Sequence, residues 1–232
     1  MSFKGYIKEN LPWIRSIYRK RLAPINLIHN IFDKPVVILL YHRVNYLNRD
    51  LFNINVTPDN FERHIRILKN HYNVITFNDL KRNDIKKPSV IITFDDGYYD
   101  NYKYAFPILK KYQVPATIFI TSGGVDTGKE FWWDRLETVL FENKNLRESI
   151  ELDILNQRHI FDVSDDKKRL HSFYTLHHML FSLHPNERDM MLDRWYESYG
   201  LKVNPNNRTM TSSELIELYQ RRRKIYQANG KQ

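Results

Sequence analysis

The sequence predicts an α/β protein that is built around a parallel sheet. Two observations lead to this prediction. Short apolar segments recur between residues 35 and 121, and segments whose apolar residues have helical spacing lie between them. Strands and helices that alternate in this way are typical of βαβ units, whose sheet is either open or closed into a barrel. The chain of 232 residues is long enough for one large domain.

Four apolar segments are predicted as the strands of this sheet. Residues 35–41 are apolar on both faces, as expected for a buried parallel strand. The other three predicted strands are residues 73–77, 89–94 and 115–121.

Helices are predicted between these strands from cap and spacing signals. Thr57 is a suitable N-cap residue, and the proline after it is favoured in a first helical turn. A second helix is predicted over residues 100–112, where Pro107 is expected to kink or shorten it. The apolar residues with helical spacing in the first helix are Phe61, Ile65, Leu68 and Tyr72.

A different pattern occupies residues from about 131 to 209, which we interpret as a helical insert within one domain. The helix-stop residue Gly200 and the capping-box pattern Thr211-Ser-Ser-Glu214 mark element boundaries near its end. The predicted elements of the insert are a helix that begins at Phe131, a hairpin of residues 151–155 and 159–163, and two helices over residues 164–183 and 185–199.

Composition narrows the classes of function. Lys and Arg outnumber Asp and Glu by 36 to 27, which gives a net charge of +9. This charge permits binding to nucleic acid, anionic lipid or acidic polymer, although charge runs are usually solvated helix faces. No other nucleic-acid signal occurs, so no nucleic-acid partner is predicted. The absence of cysteine excludes disulfides and Cys-ligated zinc. With no signal-peptide pattern and no apolar run near the roughly 20 residues of a membrane span, a cytoplasmic location is predicted.

Residues 1–34 are predicted to be a basic amphipathic N-terminal helix region. Such a helix can lie on an anionic membrane surface or pack against the domain behind it, and both readings stay open. The first reading predicts peripheral contact with the inner face of the membrane. The apolar face would carry Leu11, Ile14, Tyr18 and Leu22, with Arg15, Arg19 and Arg21 largely off it.

The candidate catalytic residues are two adjacent acids, Asp95 and Asp96. They follow a predicted apolar strand, and active sites of parallel α/β proteins collect at the carboxyl ends of strands. Adjacent buried carboxylates need a compensating cation or donors. One of them can bind a divalent ion while the other serves as a base for water. The alternative is an ordinary Asp-Gly turn with solvated acids.

The surroundings of this acid pair resemble the polysaccharide deacetylase family (carbohydrate esterase family 4). The matching motifs keep the family's order: Thr93-Phe-Asp-Asp-Gly97, Tyr98-Tyr-Asp-Asn-Tyr102, Ala105-Phe-Pro-Ile-Leu109 and Pro115-Ala-Thr-Ile-Phe119. Three further segments resemble a bacterial subgroup often encoded with surface-polysaccharide enzymes: Tyr41-His-Arg-Val44, Phe131-Trp-Trp-Asp-Arg-Leu136 and Met210-Thr-Ser-Ser-Glu-Leu215. The resemblance implies a partial (β/α) barrel of the polysaccharide deacetylase type with a helical insert, in a domain of residues 35–232.

This resemblance also implies a hydrolase that acts on non-peptide C–N bonds and removes N-acetyl groups from a cell-surface or exopolysaccharide. By resemblance, Asp95 would be the general base that deprotonates metal-bound water. Asp96 would be a ligand of a divalent metal, usually zinc, that also stabilises the oxyanion. N-acetylated polysaccharide is the predicted substrate. His42, Tyr98 and Trp132 are predicted to face it, and a structural role is the alternative for His42 and Trp132.

The sequence departs from the family pattern after the predicted helix at Ser212. In the family, that helix leads into a strand with a His-Ser/Thr-x-x-His motif, whereas residues 220–232 contain no histidine. No two histidines are four residues apart, and His177 and His178 would point about 100° apart on a helix. Since a catalytic zinc normally has three protein ligands, we expect a deacetylase that is impaired by truncation. The alternative is a non-catalytic carbohydrate-binding or partner-assembled remnant.

Overall fold

The computed structural model describes residues 35–81, 85, 87–154 and 157–229, with side chains as far as residue 220. The predicted N-terminal helix region lies outside the described residues. The chain divides into two compact units. The first unit consists of the chain as far as Phe94 together with Pro107–Ile118. The second unit consists of Asp95–Phe106 together with the chain from Phe119 onward.

The first unit contains a parallel sheet whose central strand is fully buried. The strands of the first unit, in chain order, are β1 (Val36–Tyr41), β2 (Arg43–Val44), β3 (Asn55–Val56), β4 (Asn73–Val74), β5 (Ser89–Phe94) and β6 (Thr117–Ile118). β1 runs parallel to β5 along its whole length, while β4 and β6 pair in parallel with the beginning and the end of β5. β2 and β3 form a separate parallel pair. The predicted α/β class with a parallel sheet is therefore confirmed.

Two of the predicted strands are shorter than expected. The strand predicted over residues 73–77 ends at Val74 because Thr76 and Asp79 form a capping box. The Thr76 backbone N–H donates to Asp79 Oδ2 at 2.8 Å, and the Asp79 N–H donates to Thr76 Oγ1 at 3.3 Å. The strand predicted over residues 115–121 has only the two residues of β6, which pair with Thr93 and Phe94 at the end of β5.

The helices of this region follow their sequence signals. They are α1 (Pro58–His71), α2 (Phe77–Lys81) and α3 (Phe106–Tyr112). The Thr57 hydroxyl caps α1 by accepting from Asn60 N–H at 3.4 Å, and the buried face of α1 includes Phe61, Ile65 and Leu68. Tyr72 lies just beyond α1 and is exposed. A π-helical turn (Asn101–Ala105) runs directly into α3, so the helix predicted over residues 100–112 is present and changes from π-helical to α-helical next to Pro107.

The second unit contains the predicted hairpin and the predicted helices. Its elements are α4 (Trp132–Glu137), a π-helical turn (Thr138–Glu142), β7 (Ser149–Ile154), β8 (Gln157–Asp162), α5 (Asp166–Phe181), α6 (Pro185–Tyr199) and α7 (Ser212–Asn229). β7 and β8 pair antiparallel. The capping box at α7 is confirmed, since Thr211 N–H donates to Glu214 Oε2 at 2.8 Å and Glu214 N–H donates to Thr211 Oγ1 at 3.3 Å. None of the described helices is long and apolar enough to cross a membrane.

Gly200 ends α6 in the left-handed region, with φ at 63°. Because an L side chain is strained at this φ, Gly200→Ala is expected to lower the free energy of unfolding by about 1–2 kcal/mol. Gly123→Ala is the matched control, since neither added methyl group meets an atom within 4 Å and Gly123 has no positive φ. Urea denaturation of both variants measures the difference. Equal stabilities would contradict the prediction.

Candidate functional site

The predicted catalytic acids lie in a strained turn that directly follows β5. Asp95 and Asp96 are half-buried, and Gly97 is buried. The φ angle is 68° at Asp96 and 76° at Gly97, and the Gly97 N–H donates to the Asp95 carbonyl at 2.8 Å. A hydrogen bond across three residues with a positive central φ is the pattern of a γ-turn, which is a strained conformation. Such backbone strain clusters at functional sites.

Backbone hydrogen bonds hold this turn on both sides. The Asp96 carbonyl accepts from Thr121 N–H at 3.2 Å, and the Gly97 carbonyl accepts from Met210 N–H at 3.0 Å. Met210 is fully buried. The two carboxylates are therefore carried by a backbone that is fixed by segments far away in sequence, which reduces the conformational freedom of the pair.

His42 directly follows β1 in the first unit. The His42 side chain is half-buried. Its contact with a substrate stays a prediction.

The other two predicted substrate contacts, Tyr98 and Trp132, are packed inside the second unit. Tyr98 is 0% exposed, and its hydroxyl donates to Asp134 Oδ2 at 2.9 Å and accepts from Trp133 Nε1 at 2.7 Å. Trp132 is buried and stacks on His177, with 4.6 Å between the ring centroids. This is the packing expected of core aromatic residues, and substrate contact by either ring stays a prediction.

A catalytic zinc site is not complete within the part of the chain that the structure describes. There, no three side chains of His, Cys, Asp or Glu are grouped so that they could hold a metal ion. Asp95 and Asp96 offer two carboxylates at most, whereas a catalytic zinc normally has three protein ligands. The described donor set therefore does not fit such a site.

The segment that matches known proteins includes this turn. Residues 82–145 match the model of the polysaccharide deacetylase family. The matched segment contains Asp95, Asp96, Tyr98 and Trp132, while His42 lies outside it.

Individual deacetylases also match only part of this chain, and each match covers only part of the relative. YxkH of Bacillus subtilis, named as a polysaccharide deacetylase, is 44% identical over 96 residues, which are 38% of this chain and 33% of that protein. The poly-β-1,6-N-acetyl-D-glucosamine N-deacetylase of Staphylococcus aureus is 36% identical over 110 residues, covering 40% of this chain and 38% of that protein. A solved polysaccharide deacetylase from Bacillus cereus is 33% identical with a TM-score of 0.35, covering 40% of this chain and 31% of that chain. The chain thus spans little more than a third of the length of these curated relatives.

The segment that matches the family model also contains a buried acid, Glu130, which no sequence signal marks. Glu130 is 5% exposed and accepts hydrogen bonds from Tyr196 Oη at 2.9 Å and Asn207 Nδ2 at 3.1 Å. Burial raises the pKa of Glu130, and burial followed by the Glu130 charge raises the pKa of Tyr196. The two partners are 66 and 77 residues away along the chain, so no local pattern could reveal them.

The raised pKa of Glu130 predicts that the free energy of unfolding falls as pH rises. The protonated form of Glu130 is favoured in the folded state, so its contribution is complete below the ordinary pKa of 4.5 and is lost as pH rises through the raised folded value. Glu130→Gln keeps a polar side chain that does not titrate, and it is expected to remove this decline. Urea unfolding of both proteins at a series of pH values measures it. Parallel stability profiles would show that Glu130 does not contribute.

Proposed function

We propose that this chain is part of an N-deacetylase that removes acetyl groups from an N-acetylated cell-surface or exopolysaccharide. The observation that carries the proposal is the strained, backbone-held turn that places Asp95 and Asp96 at the end of the central strand β5. The names of the relatives suggest the substrate class, since the Staphylococcus aureus relative is a poly-β-1,6-N-acetyl-D-glucosamine N-deacetylase. We also propose that the sheet is part of a (β/α) barrel.

In this proposal the two acids have different tasks. Asp95 accepts a proton from the water that attacks the acetamide carbonyl. The C–N bond then breaks as the proton held by Asp95 passes to the departing nitrogen, so acetate leaves and a free amine remains on the polymer. Asp96 is proposed as a ligand for a divalent cation, with zinc as the first candidate, although the described residues supply no group of three ligands for it.

Zinc is expected to bind the 232-residue chain only weakly, because Asp96 and Asp95 supply fewer than the three protein ligands of a catalytic zinc site. Calorimetric titration with zinc should therefore show no tight stoichiometric binding. Asp96→Ala is the matched variant. One tight zinc site in the wild-type chain that disappears in Asp96→Ala would contradict the prediction.

The same incomplete donor set favours a second candidate, a non-catalytic carbohydrate-binding or partner-assembled role. One experiment separates the two functions. The chain is mixed with zinc and a β-1,6-linked N-acetylglucosamine oligomer, and both acetate release and oligomer binding are measured. Slow, protein-dependent acetate release supports the deacetylase, whereas binding without release supports the second role. A chain that neither binds the oligomer nor releases acetate would refute both candidates.

A further inference from the structure

The strained turn leads directly into a buried side-chain network. Tyr98 follows Gly97, and its fully buried ring packs on Phe131 with 4.7 Å between the ring centroids. The Tyr98 hydroxyl donates to Asp134 Oδ2 at 2.9 Å and accepts from Trp133 Nε1 at 2.7 Å. Asp134 is itself only 8% exposed. A hydrogen bond from a hydroxyl to a carboxylate is stronger than one between neutral groups, and a buried one is shielded from water.

The backbone around Tyr98 is also held, by a segment near residue 209. Tyr98 and Thr209 form an antiparallel β-bridge. On either side of it, Met210 N–H donates to the Gly97 carbonyl at 3.0 Å, and Tyr99 N–H donates to the Arg208 carbonyl at 2.9 Å. Tyr98 is therefore held at two points: its backbone pairs with the segment near residue 209, and its hydroxyl is hydrogen-bonded to Asp134 and Trp133.

We propose that Asp134 is a positioning residue for the acid pair. By accepting the Tyr98 hydroxyl, Asp134 fixes the Tyr98 ring, and the fixed tyrosine holds the backbone of the turn that carries Asp95 and Asp96. The physical reason is that a strained backbone persists only where its surroundings over-determine it. The importance of this role rests on the proposed function, but its test needs no enzymatic activity.

Native-state hydrogen exchange of the full chain tests this positioning role. The amides to follow are those of Gly97, Tyr99 and Met210, whose N–H groups form the backbone hydrogen bonds in and around the turn. Tyr98→Phe removes the hydroxyl, and Asp134→Ala removes the acceptor. Both are expected to speed exchange of these amides by roughly tenfold or more through local opening, while amides of the β7–β8 hairpin stay unchanged. Asp134→Asn keeps an acceptor oxygen and should restore most of the protection.

A core variant separates positioning from a general loss of stability. Leu192→Val removes one buried methylene group from α6, where Leu192 is 0% exposed, so it should lower the global free energy of unfolding without selectively affecting the turn. The inference is overturned if Tyr98→Phe leaves the exchange rates of the turn amides unchanged. It is also overturned if Leu192→Val speeds the exchange of these amides as much as Tyr98→Phe does. If the proposed function is wrong, the exchange pattern will appear but the chain will release no acetate.

Discussion

Asp95→Asn is expected to lower the rate of acetate release from an N-acetylglucosamine oligomer to that of metal-containing buffer. A carboxamide has nearly the shape of the carboxylate but cannot accept a proton from attacking water. General bases typically contribute roughly 10²–10⁴-fold to a rate, so little protein-dependent release should remain. The hydrogen bonds that hold the turn join backbone groups and are therefore expected to survive the change.

The measurement is acetate release by wild-type and variant chains at equal concentrations of protein and zinc. Asp153→Asn is the matched control, because Asp153 is an exposed acid on β7 and the change in charge is the same. Wild-type activity in the control and none in Asp95→Asn would support Asp95 as the base. Undiminished release by Asp95→Asn would assign the reaction to another group.

Gly97→Ala is expected to have the largest effect on stability among the single-methyl changes considered. At φ 76° an alanine is strained, and its Cβ would lie 2.8 Å from Ile120 Cδ1 and 3.4 Å from Ile120 Cγ2. The left-handed conformation costs about 1–2 kcal/mol, and moving the Cδ1 end of the half-buried Ile120 side chain adds up to about 1 kcal/mol. Urea denaturation should therefore show a loss of about 1–3 kcal/mol in the free energy of unfolding.

The same substitution made in an Ile120→Val protein separates the cost of the backbone strain from the cost of displacing Ile120. Ile120→Val removes Cδ1, the nearest of the atoms that the new methyl group would meet. Adding Gly97→Ala to Ile120→Val should therefore lower stability by less than adding it to the wild-type chain, and the remaining loss reports the backbone strain. An equal loss in both backgrounds would show that Ile120 does not limit the site, and no loss in either would contradict the strain at residue 97.

Local signals predicted the element boundaries that depend on nearby residues. The N-cap at Thr57, the stop at Gly200 and the capping box at Thr211 each involve groups within a few residues, and the structure confirms all three. The strand predicted over residues 73–77 was wrong beyond Val74, because a capping box at Thr76 competes with the apolar run. The end of β6 at Ile118 coincides with the end of its distant partner strand β5, which no local signal shows.

The sequence by itself determined the α/β class, the position of Asp95 and Asp96 after an apolar strand, and the resemblance to polysaccharide deacetylases. These features depend on residue order over short distances. Only the tertiary structure decided that the Tyr98 hydroxyl meets Asp134 and Trp133, which are 36 and 35 residues away, and that Glu130 is a buried acid. The reason is that burial and long-range hydrogen bonds arise when the chain brings distant segments together, and side-chain spacing along the sequence carries no record of that.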